Sequence, residues 1–162
     1  MQPKPDWREK GYWIPASKAG SMFFKTIAPA ADRLLFCLSG GRQTAVSLIA
    51  GLPSIVVTVK GAKSAKPRTV TLLGISDQAE FIVIASNFGQ KHNPAWYYNL
   101  RANPDITVTL NGRTSAYRAR QVFGAEHQQC WEKAVKLYKG YEAYKQRAGR
   151  EIPIFVLEPQ NR

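Results

Sequence analysis

Ile55-Val56-Val57-Thr58-Val59-Lys60-Gly61-Ala62-Lys63-Ser64-Ala65-Lys66-Pro67-Arg68-Thr69-Val70-Thr71-Leu72-Leu73 decides how the chain folds. Two apolar, β-branched runs flank a short polar connection, the pattern of paired strands joined by a tight turn. Gly61 can bend the backbone sharply and Pro67 fixes its own φ. Lys60, Lys63, Lys66 and Arg68 crowd the connection with no acid near them. A concentrated positive field on a rigid hairpin suits an anionic ligand. The alternative is a solvated hairpin whose lysines keep a sheet edge from pairing with other chains.

The same bias extends outward. Of a formal net charge of +12 over 162 residues, much lies in the first half: no acid occurs between Asp32 and Asp77, an interval that also holds Arg33 and Arg42. Such a charge suits nucleic acid, anionic lipid or a polyanionic small molecule. No basic reader helix and no aromatic platform within the turn accompany it, so nucleic acid is not expected as a partner. A small-molecule substrate is, with the protein a monomer or homodimer. Cys37 and Cys130 have neither CxxC spacing nor a ligand cluster and read as core or near-core thiols, with no metal expected.

Residues 1–18 read as an irregular N-terminal arm without a secretory apolar region, and a cytoplasmic protein is expected. Met22, Phe23, Phe24, Ile27, Ala30, Ala31, Leu34, Leu35 and Leu38 recur at helical spacing, with a kink at Pro29. Lys25, Asp32 and Arg33 interrupt this 19–38 segment, which is a poor membrane span but suits peripheral membrane contact.

Beyond the hairpin, Ser76-Asp77-Gln78 reads as a turn and Phe81 to Ser86 as a third strand. Asn93-Pro94 reads as N-cap and first position of a short helix with Trp96, Tyr97 and Leu100, ending before Asn103-Pro104. Asn111-Gly112 between Ile106–Leu110 and Ser115–Arg120 is a strong hairpin signal. Helices near 125–138 and 141–148 precede a last strand, Ile152 to Leu157, in which Pro153 argues for an edge or a strand start. About six strands with flanking helices describe an α+β protein: a small antiparallel barrel, with residues 19–162 as a single domain.

No HExxH, GxSxG, GxGxxG or P-loop pattern occurs, and His92 and His127 are isolated. If the protein is an enzyme, a cofactor carries the hard chemistry. Two further stretches bear on it. Ala85-Ser86-Asn87-Phe88-Gly89 is either a place where backbone groups and a hydroxyl meet a ring system or an ordinary strand-to-helix loop. Tyr138, Tyr141 and Tyr144 stand at three-residue spacing around Gly140, either as packing or as part of a site.

Taken together, "TVKGAKSAKPRTVTLL" (58–73), "VIASNFGQKHNPAWYYNLRANPDITV" (83–108) and "YKGYEAYKQRAGREIPIFVLEP" (138–159) resemble the deazaflavin-dependent nitroreductase family. The resemblance implies a split β-barrel and an oxidoreductase using reduced coenzyme F-420, a deazaflavin with a phosphate and a polyglutamate tail. It would pass a hydride to a nitroaromatic, quinone or activated alkene. It further implies that Lys63, Ser64 and Arg68 bind the phosphate side and that Thr69, Val70 and Thr71 line the ring. By the same resemblance, Ser86, Asn87, Trp96, Tyr97 and Asn99 would also meet the cofactor. Tyr141 would stand at the reaction pocket with Tyr138 and Tyr144 shaping the substrate side, and Ser86 or Tyr141 would orient the acceptor or relay a proton. The family's glycine-arginine-lysine-serine-glycine turn here reads Gly61-Ala62-Lys63-Ser64-Ala65. FMN binding, or a flavin or fatty-acid carrier without turnover, is the alternative.

Overall fold

A computed structural model describes residues 53–160. The arm at 1–18, its boundary with the domain and the 19–38 segment with Cys37 lie outside the described residues. The elements are β1 (Ser54–Lys60), β2 (Pro67–Leu73), β3 (Ile75–Asp77), β4 (Glu80–Ile84), a 3-10 turn (Asn87–Gly89), α1 (Ala95–Ala102), β5 (Asp105–Leu110), β6 (Arg113–Val122), α2 (Gly124–Leu137), α3 (Gly140–Ala148) and β7 (Ile154–Pro159). The strands form one antiparallel sheet in the order β2-β1-β5-β6-β7-β4-β3.

The two end strands of that sheet, β2 and β3, are joined by Gly74 alone, so the sheet curls back on itself as a split barrel. The six strands expected from sequence become seven because one of them bends at this glycine. A Cβ on Gly74 would lie 2.7 Å from Ile55 Cγ2, which makes glycine the residue that lets the bend pack on β1. The Gly74 N–H donates to Pro53 O at 3.1 Å, tying the bend to the start of β1.

Local turn chemistry accounts for the rest of the strand order. Leu110 pairs with Arg113 across Asn111 (φ 51°) and Gly112 (φ 78°), the positive-φ pair that the Asn-Gly signal requires. β7 starts directly after Pro153 and lies between β6 and β4, so the proline marks a strand start and not an edge. Two boundaries differ from expectation. Ser76 and Asp77 belong to β3, and the turn falls at Gln78 (φ 56°). Pro94 keeps an extended ψ of 157° and stands as the cap, so α1 begins at Ala95, one residue later than Asn93-Pro94 suggests.

Strand alternation divides the buried side chains into two cores. Ile55, Val57, Val59, Phe81, Val83, Ile106, Val108, Ala119, Phe155 and Leu157 fill the barrel, and Tyr97 and Leu100 of α1 pack into it. Ile75, Ile82, Ile84, Val122, Ile154 and Val156 face outward and are covered by Cys130, Trp131 and Ala134 of α2 and by Tyr141 and Tyr144 of α3. Among the described residues no helix is long and apolar enough to cross a membrane.

Candidate functional site

Antiparallel pairing fixes which loops meet. β1 ends where β2 begins, and β4, antiparallel to β3, ends at that same side of the barrel. The basic turn at 61–66 and the Ser86 segment therefore share one barrel end, with α1 connecting the far side of that segment to β5.

The basic turn is shaped by its own backbone. Gly61 N–H donates to Lys66 O and Ala65 N–H to Gly61 O, both at 2.9 Å. Ala65 has φ 55°, a left-handed conformation that glycine adopts at less cost. Arg68 Nη2 donates to Ser64 Oγ at 3.3 Å, so these two side chains, expected together on the phosphate side, are in contact. Lys63, Ser64, Lys66 and Arg68 are all exposed. Lys60, Lys63, Lys66 and Arg68 have no carboxylate partner among the described residues, whereas Arg118 pairs with Asp105, Arg120 with Glu126 and Glu158, and Lys133 with Asp77.

α1 anchors this turn. Asn99 Oδ1 accepts the Ala62 N–H at 3.0 Å and Asn103 Nδ2 donates to Lys60 O at 3.0 Å. Asn99 thus holds turn backbone. Trp96 is half-buried with its ring edge-on to Phe155, and Tyr97 is buried against the same ring. Thr69, Val70 and Thr71 do not share a surface. Val70 packs on the barrel core, while Thr69 is on the other face with its hydroxyl 3.1 Å from that of Thr58. The outer edge of β2 pairs with no strand among the described residues, which leaves backbone donors and acceptors beside the cations.

On the opposite side, Ser86 is the only serine, threonine, amide or charged residue buried among the described residues. Its carbonyl accepts the Gly89 N–H at 2.9 Å. Asn87, Phe88 and Gly89 have φ of 47°, 54° and 78°, three left-handed residues in a row. Asn87 Nδ2 donates to His92 O at 3.0 Å and lies 3.2 Å from His92 Nδ1. The Phe88 ring meets Tyr144 edge-on, and Arg147 Nη1 donates to Phe88 O at 3.1 Å.

The three phenols lie outside the barrel, under α2 and α3, and are buried. The hydroxyls of Tyr138 and Tyr144 are 3.3 Å apart. Tyr138 rests on Gly140, where a Cβ would come within 2.2 Å of its Cζ. Burial pushes the pKa of Tyr138, Tyr141 and Tyr144 above the usual tyrosine value, so all three stay neutral hydrogen-bond donors. Arg147 and Arg150, which reach back to the Ser86 segment, are the residues that motif reading missed, and nothing local in the sequence marks them.

A family model described as F420H(2)-dependent quinone reductase matches residues 38–159. The chain belongs to this family. A relative from Mycobacterium tuberculosis, named an F420H(2)-dependent quinone reductase, is 31% identical over 108 residues, which are 65% of this chain and 72% of that protein. A solved structure titled as an F420-H2 dependent reductase superposes with a TM-score of 0.61 at 34% identity, covering 65% of this chain and 94% of the other. Another, titled a domain-swapped dimer, gives 0.62 at 34% identity over 65% of this chain and 80% of that one. The family's description agrees with the deazaflavin expectation and names quinones, one of the three expected acceptor classes.

Proposed function

We propose that this chain is a reductase that uses reduced coenzyme F-420 to reduce a quinone, with the cofactor held at the barrel end formed by the basic turn, the β2 edge, α1 and the Ser86 segment. One observation carries the assignment of the site: Lys60, Lys63, Lys66 and Arg68, four cations on one turn with no carboxylate partner among the described residues, stand at the barrel end that also holds Ser86, the one serine buried among those residues. The donor set fits the group. Cations and the Ser64 hydroxyl suit a phosphate and its anionic tail, and an open strand edge beside apolar packing suits a flat ring with polar edges.

Reduced coenzyme F-420 supplies a hydride when bound. The chain's own residues do the rest. Lys63 and Arg68 bind the phosphate, and Asn99 and Asn103 hold the turn that carries them. Ser86 orients polar groups at the ring or the acceptor through its hydroxyl. The phenols of Tyr138, Tyr141 and Tyr144 keep their protons, give the α3 side its shape, and can donate a hydrogen bond to an acceptor that reaches them.

Fluorescence titration of the deazaflavin tests the docking. Loss of one charge-assisted contact at an exposed site is worth about 1.4 kcal/mol, or about tenfold in affinity. Lys63→Ala and Arg68→Ala are each expected to weaken binding by about that factor and to flatten its dependence on salt. Unchanged affinity in both variants would remove the basic turn from the site.

A further inference from the structure

No motif assigns a role to Arg150, yet its guanidinium reaches the backbone on both sides of the Asn87–Gly89 turn. It follows Gly149, whose left-handed backbone (φ 60°) ends α3 and turns the chain back toward β4. Its Nε donates to Gln90 O at 3.2 Å, and its Nη2 donates to both Ala85 O and His92 O at 3.2 Å. Nη1 donates to Glu151 O at 3.1 Å. One guanidinium thereby collects three carbonyls from the segment that contains Ser86 and the left-handed turn. Burial lowers its pKa, and among the described residues it has no carboxylate partner, so these carbonyls are its counter-dipoles.

The turn needs such a hold. Left-handed backbone is costly for residues with a Cβ, and Asn87 and Phe88 adopt it in succession. The bonds within the turn, Gly89 N–H to Ser86 O and Gln90 N–H to Asn87 O, close single loops of a few residues and leave the segment's position against α3 to other contacts. A planar fork with five donors reaches carbonyls in several directions at once, which a lysine ammonium on a flexible stem does less well.

We propose that Arg150 is the positioning residue of the candidate site: by gathering the carbonyls of Ala85, Gln90 and His92 it fixes the Ser86 hydroxyl and the Asn87–Gly89 turn in the geometry that receives the deazaflavin. This inference rests on the reading that the cofactor binds at this barrel end.

The test compares the full-length wild type with Arg150→Gln and Arg150→Lys in two measurements. The first is amide hydrogen exchange without cofactor. In Arg150→Gln, amides of residues 85–93 are expected to exchange at least tenfold faster while those of β1 and β5 keep wild-type rates; Arg150→Lys falls between. The second is fluorescence titration with the deazaflavin. Affinity is expected to fall about tenfold in Arg150→Gln with an unchanged salt slope, because Lys63 and Arg68 are untouched. Exchange that stays at wild-type rates in 85–93, or that rises equally through the barrel, overturns the proposal, as does unaltered affinity. If Arg150→Gln does not fold, Arg150→Lys is read by the same criteria. A wild type that binds no deazaflavin overturns the reading of the site, and the exchange data still decide whether Arg150 fixes the segment.

Discussion

Replacing Gly89 by alanine separates two costs that the structure places on one residue. Gly89 has φ 78°, and a Cβ there would lie 3.0 Å from both Cα and O of Tyr144 and 3.1 Å from Arg147 Cβ. A left-handed alanine costs about 1 to 2 kcal/mol, and the unfolded-state entropy regained by losing a glycine returns part of it, leaving about 1. Forcing a methyl against helix backbone adds about 1 to 3 kcal/mol, because the Tyr144 carbonyl belongs to α3 and cannot swing aside like a side-chain tip. The total is about 2 to 4 kcal/mol. Gly149 supplies the control: its φ is 60°, and an added Cβ meets nothing within 4 Å. Gly149→Ala should therefore show the conformational cost alone, about 1 kcal/mol. Urea unfolding at constant m gives both values, and their difference is the contact between the Ser86 segment and α3. Equal losses in the two variants would refute the claim that α3 is packed against this turn.

Two further outcomes follow from the same geometry. Ala65 holds a left-handed φ of 55° in the basic turn, so Ala65→Gly should raise stability by up to about 1 kcal/mol in urea unfolding while leaving deazaflavin affinity unchanged, and a loss of stability would show that the alanine is unstrained. The phenols of Tyr138, Tyr141 and Tyr144 have pKa values raised by burial. Above about pH 10 the unfolded chain releases these protons while the folded chain retains them, so stability is fully present below that pH and falls as pH rises, by up to about 1.4 kcal/mol per pH unit for each phenol. Thermal melts from pH 8 to pH 11 should show a shallower fall in Tyr144→Phe than in the wild type; identical slopes would mean that the phenol does not carry the effect.

The hairpins were legible because their signals are local. Asn111-Gly112 needs only its own two positive φ values, and the cationic turn needs only the contrast between Lys63 or Lys66 and the β-branched runs around them. The bend at Gly74 was not, since a glycine between Leu73 and Ile75 reads as strand until the curl of the sheet brings Ile55 against it. The resemblance expects Thr69, Val70 and Thr71 to line the ring, and what motif matching does not give is their facing: strand alternation sends Val70 inward and Thr69 outward. Phe88 opposes its own backbone preference, and the groups that hold its turn, Arg147 and Arg150, lie about sixty residues away in sequence. No local pattern encodes such a pairing.

The tethers at the candidate site share one property that bears on its use. Asn99, Asn103, Arg147 and Arg150 all bond backbone: Ala62 N–H, Lys60 O, Phe88 O, and the carbonyls of Ala85, Gln90 and His92. The loops are held through their main chains, and the side chains of Lys63, Lys66 and Ser86 are spared from structural duty. Three basic residues elsewhere are spent differently. Arg118, Arg120 and Lys133 each meet a carboxylate within 3 Å, so their fields are largely cancelled. The uncancelled charge of Lys60, Lys63, Lys66 and Arg68 therefore stands on a turn whose backbone Asn99 and Asn103 tie down. Like charges gathered on one turn repel, and that repulsion is relieved when an anion binds. A rigid frame with uncancelled charge favours a ligand whose phosphate and ring must be placed together, since binding then orders few further groups.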